Sequence, residues 1–177
     1  MKKAQVWIET VLYTLIGLAL IGLVLAVAMP KINAAKDRVV VEQTIDSLNG
    51  WDEKINELLD HPPGNIRMIS AFQMKRGELY INSSADTIVF VLNDLSKPYS
   101  EPGVQIEYGK ITLFSEEGQR ASSIRLTLDY GGVVNLTSGG KDELVKFTAA
   151  PTPYSFSLEN RGGANLTNVN IEEISRG

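Results

Sequence analysis

Val11-Leu12-Tyr13-Thr14-Leu15-Ile16-Gly17-Leu18-Ala19-Leu20-Ile21-Gly22-Leu23-Val24-Leu25-Ala26-Val27-Ala28-Met29 is a run of nineteen residues without one charged side chain. A helix of that length spans roughly 28 Å, close to the ~30 Å hydrocarbon core of a bilayer. Val6, Trp7 and Ile8 extend the apolar stretch towards the N-terminus. The reading is a membrane-inserting helix. A secretory signal peptide differs: its apolar core is about 7–15 residues long and a small-residue cleavage site follows it. Ala26-Val27-Ala28 imitates such a site, but the apolar run before it is too long.

The whole chain has 177 residues and a formal net charge of −4, and outside this segment it reads as an ordinary polar-surfaced domain. No basic arm or Lys/Arg stripe is present, so no nucleic-acid partner is expected. With no cysteine, a disulfide framework and a thiolate metal site are both excluded. A single histidine, His61, removes multi-His metal centres and most His-based catalysis.

From Lys31 the pattern becomes amphipathic. Val41, Ile45, Leu48, Ile55 and Leu59 form a helical stripe, with charged residues over much of the remainder. Pro30 is expected to kink this helix, and Gly50 to weaken it by about 1 kcal/mol. His61-Pro62-Pro63-Gly64 stops it. A continuous helix from Gln5 to Leu59 would be about 80 Å long.

After Gly64 ten short β-type runs follow, at 66–72, 78–82, 87–92, 104–108, 111–114, 123–130, 133–136, 144–148, 154–158 and 168–174. Turn signals such as Lys75-Arg76-Gly77, Glu101-Pro102-Gly103 and Arg161-Gly162-Gly163 separate them. Alternation as in Ile124-Arg125-Leu126-Thr127-Leu128 buries one face and wets the other. The expected class is α+β: a long N-terminal hydrophobic helix, then an all-β antiparallel sandwich or barrel. About 110 residues suits an immunoglobulin-like sandwich.

Lys2-Lys3-Ala4-Gln5-Val6-Trp7-Ile8-Glu9-Thr10-Val11-Leu12 resembles the class III signal sequence of archaeal type IV pilins and archaellins. The resemblance covers roughly the first 30 residues and is architectural beyond Pro30. It implies that a prepilin peptidase removes a basic leader, residues 1–4, by cutting between Ala4 and Gln5. Gln5 would become the new N-terminus and Glu9 the fifth mature residue, where the family commonly places an acid. Residues 5–61 would be the helix, with 5–29 in the membrane and then the filament core, and 30–61 as a stalk. Residues 65–177 would be the external β-domain.

Given that leader, the residues fit the placement. A carboxylate inside an apolar segment costs on the order of 3 kcal/mol at mid-bilayer, less near its end, and needs a partner. The α-amine freed at Gln5 of an adjacent copy would neutralise Glu9 and set axial register. The competing reading of Glu9 is a side chain that reaches water at the membrane interface. Lys2 and Lys3 favour a cytoplasmic N-terminus, while Lys31, Lys36 and Arg38 oppose it.

Three N-x-[ST] sequons, at Asn82, Asn135 and Asn165, lie beside turns or strand ends and are candidate glycosylation sites on an external domain. No nucleophile–base order, phosphate-binding glycine loop or metal-ligand spacing is legible, so neither enzyme activity nor a cofactor or metal is expected. The expectation is a homo-oligomeric filament subunit, held in the cell membrane as precursor and displayed outside once assembled. Its partners would be the membrane, the peptidase and the pilus assembly machinery. Two other readings stay open: an anchored ectodomain that never polymerises and acts as an adhesin or ligand-binding module, and a secreted enzyme.

Overall fold

The computed structural model describes residues 2–174, with side chains from Trp7 onward. Met1 of the expected leader and Ser175, Arg176 and Gly177 of the expected β-domain lie outside the described residues. One helix, α1 (Lys2–Leu59), comes first. Ten strands follow: β1 (Ile66–Phe72), β2 (Glu78–Asn82), β3 (Thr87–Leu95), β4 (Gln105–Tyr108), β5 (Ile111–Glu117), β6 (Ser122–Asp129), β7 (Val134–Ser138), β8 (Leu144–Thr148), β9 (Tyr154–Gly162) and β10 (Thr167–Glu173). The fold is α+β.

The helix continues through Pro30, which removes the backbone bond to Ala26 without ending the element. Its 58 residues make it about 87 Å long. His61 N–H closes a tighter last turn on Leu58 O at 3.2 Å, and Pro62 and Pro63 follow.

The strands form a four-stranded sheet, β1-β9-β10-β7, and a six-stranded sheet, β4-β5-β6-β3-β2-β8. Every pairing within them is antiparallel except β10 with β7, which is parallel. The sandwich is therefore mixed rather than purely antiparallel, and a four-plus-six arrangement is not the immunoglobulin strand pattern. The parallel pair arises because the last strand returns beside β7, a pairing of strands that are not neighbours in sequence. Alternation governs burial as expected: β6 reads buried, half-buried, buried, exposed along Ser122–Arg125.

The second half of α1 belongs to this core. Val41, Ile45, Leu48, Trp51, Ile55 and Leu58 are buried, at spacings of three and four. Trp51 packs edge-on to Phe72 of β1 (5.8 Å between ring centroids) and tilted on Phe156 of β9 (4.9 Å). Each such side chain contributes about 1.5–3 kcal/mol by burial, so this contact holds helix and sandwich as one body. From Trp7 to Met29 every helix residue except Gly17 and Ala28 is exposed.

Candidate assembly interface

From Trp7 to Met29 the helix turns its large apolar side chains to the outside. Leu18 and Leu20 are each 60% exposed and Leu23 is 66% exposed. An 18-residue window here reaches a mean hydropathy of 2.6, so the helix is long and apolar enough to cross a membrane. Exposed apolar residues on this scale need a partner, lipid or protein.

Glu9 is the only charged residue between Lys3 and Lys31. Its Oε1 lies 3.5 Å from the Tyr13 hydroxyl one turn on, a long contact that leaves most of its acceptor capacity open. Ala4 and Gln5 fall in the first turns of α1, where only the backbone is described. A Cβ built on Gly17 or Gly22 would meet no atom within 4 Å, so nothing in this chain explains why those positions lack a side chain.

Where the helix enters the sandwich, a polar latch holds it. Asp37 is buried, and its two oxygens accept from Arg76 Nη1 (2.5 Å) and from the Ser96 backbone N–H (2.7 Å). Arg76 Nη2 also donates to the carbonyls of Asn93 and Asp94, at 3.3 and 2.9 Å. A register shift in β3, with Asp94 at φ 59°, accompanies those accepting carbonyls. Burial alone would raise the Asp37 pKa; the Ser96 and Arg76 donors outweigh it and hold the carboxyl below its ordinary value. Gly77 follows in a tight turn at φ 91°, and a Cβ there would sit 2.6 Å from Phe90.

The far end of the helix is closed by Asn160 of β9. Its Nδ2 donates to Leu58 O (2.9 Å) and His61 O (3.0 Å), and its Oδ1 accepts from Gly162 N–H (2.8 Å). Carbonyls left over at a helix C-terminus are satisfied here by a side chain about 100 residues away. His61 Nδ1 donates to Glu57 O at 2.6 Å and Nε2 faces Arg67 Nη2 at 3.5 Å, so His61 serves the helix end.

Of the sequon asparagines, Asn135 on β7 and Asn165 in the β9–β10 turn are exposed, whereas Asn82 at the end of β2 is half-buried. Thr137 of the Asn135 sequon donates to Asn168 and Asn170 Oδ1 at 3.1 and 3.2 Å. Among the described residues, no group of three or more His, Asp or Glu side chains is placed to hold a metal ion. Glu9 and the sequons lie apart and form no common site. Asp37, Arg76 and Asn160 went unread in the sequence because each acts on a residue distant along the chain.

No protein-family model matches the chain, and neither a curated protein nor a solved structure is found similar to it.

Proposed function

We propose that the chain is a structural subunit of an archaeal type IV pilus-like surface filament, assembled through its N-terminal helix. The observation that carries this reading is the division of α1. Its second half is locked into a domain, and its first half offers an unpartnered apolar surface carrying one acid, Glu9. A plain membrane anchor needs apolar length but no acid and no glycines. Open Cβ positions at Gly17 and Gly22 let neighbouring helices approach closely, and tight packing is what drives association where water is absent.

In this reading the precursor sits in the cell membrane. Cleavage between Ala4 and Gln5 frees the amine that neutralises Glu9 of an adjacent copy, and the apolar helices bundle with the sandwiches outside. The role is structural rather than catalytic. Glycans at Asn135 and Asn165 would face outward, on side chains that are already exposed.

The test is to express Glu9→Ala, Glu9→Gln and Gly22→Leu variants and to quantify sheared surface filaments by electron microscopy. All three should reach the membrane folded and lose filaments. Normal filament yield from both Glu9 variants would refute the pairing. Membrane-held chains without filaments even in the wild type would favour the anchored adhesin or ligand-binding ectodomain.

A further inference from the structure

Among the described residues four strands stand at the edges of the two sheets, β1, β7, β4 and β8, and two of them are unlike the others. Every residue of β4 is exposed, together with the turn that leads into it, so the strand stands out at the margin of its sheet. Ile106 and Tyr108 lie directly opposite Leu113 and Ile111, which are buried. Residues directly opposite in an antiparallel pair share a face. The core face of the sheet thus runs on to its margin, where Ile106 is 39% and Tyr108 58% exposed.

The β1 edge is the reverse. The helix stands off from it and leaves a groove of about 690 Å³. One wall is the strand itself and the Gln73–Arg76 turn, the other is the helix flank carrying Gln43, Ser47, Gly50 and Lys54, and Phe72, Met74 and Phe90 supply an apolar floor. The small side chains on that flank, Ser47 and Gly50, keep the groove open.

We infer that β4 of one copy docks in the β1 groove of a second copy and adds a strand to the four-stranded sheet. Three features commit the groove to this occupant. Both strands stand at the margins of their sheets, and such edges recruit strands. Ile106 and Tyr108 present an alternating apolar row to an apolar floor. Charge agrees on the strand wall, where Lys75 carries no ion pair among the described residues and β4 brings Glu107, while Asp46 on the helix wall is the groove's own acid without an ion pair there.

The two patches sit on opposite flanks of the helix. Tyr99, which lies near Tyr108, receives Arg38 over its ring at 6.0 Å, and Arg38 pairs with Glu42. The Arg38 and Glu42 flank is about 130° round the helix from the groove flank. With the patches on different flanks the contact is heterologous, and repeated it runs head to tail as a ring or an open chain. The inference takes from the filament reading only that copies meet side by side.

The absence of cysteine makes the test direct. The full chain carrying Ser70→Cys and Gln105→Cys, both at exposed positions, is expressed in its membrane and treated with a short bis-maleimide. A second full chain carries Val133→Cys and Leu144→Cys, at the other two edges. The first should give a ladder of covalent multimers on a denaturing gel and the second only monomer, and adding Ile106→Lys to the first should abolish its ladder. A ladder with filaments supports both readings, and a ladder without filaments supports strand docking while refuting the filament. Filaments without that ladder, or equal ladders from both pairs, overturn strand docking and spare the filament. Neither ladder nor filaments overturns both.

Discussion

Asn160 illustrates how much one buried polar side chain does at the junction of helix and sandwich. Asn160→Ala leaves the carbonyls of Leu58 and His61 without their donor, a change worth about 1–3 kcal/mol. Urea unfolding of the full chain in detergent, followed through Trp51 fluorescence, should show that loss. Asp37 makes a pH-dependent contribution. Its folded pKa lies below the unfolded value, so the stabilisation is present above about pH 4 and disappears as the pH falls through the folded pKa. Asp37→Asn should therefore narrow the stability gap between pH 7 and pH 3. Shared carboxylates such as Glu57, also held low by Lys54 and Arg67, cancel in the comparison of the two proteins. An unchanged gap would remove Asp37 as the source. None of these pairings was legible in the sequence: Asp37 and Arg76 are 39 residues apart, and only the fold brings them together.

Among the elements, the helix was read well in its outline and less well in its width. The apolar run, the stripe and the Pro-Pro-Gly stop were all local signals, and α1 ends at Leu59 as they require. The stripe of Val41, Ile45, Leu48 and Ile55 is buried, but Leu59 is only partly so, while Trp51 and Leu58 are fully covered. A helix seated against two sheets buries a broader face than a narrow stripe suggests. Trp51→Ala should cost about 3–5 kcal/mol in the same unfolding assay, because it empties a site between Phe72 and Phe156. Gly50→Ala works the other way. A Cβ there meets no atom within 4 Å, so the helix gains about 0.5–1 kcal/mol. The strands were legible because alternation and turns are also local, and all ten occur where the alternating runs place them. The parallel β7–β10 pair was not, since strand partnership depends on which distant segments meet.

The molecule has two unlike parts joined through one helix: a packed sandwich and an exposed apolar rod. The proposed polymerising role of the rod rests on the order of residues around it, with a basic start, a small residue, an acid and then the apolar run. In the proposed filament the sandwich would form the outer layer and, through β4 and the β1 groove, a second contact between copies. If the sandwiches coat a surface filament, peptide mass spectrometry should find glycan on Asn135 and Asn165 and little on half-buried Asn82. The most direct test is to shear filaments from cells and determine the N-terminus of this chain in the filament fraction by mass spectrometry. The chain is expected in that fraction with Gln5 as its first residue. A chain confined to the membrane fraction with Lys2 and Lys3 intact, or one that begins near Met29, would contradict it.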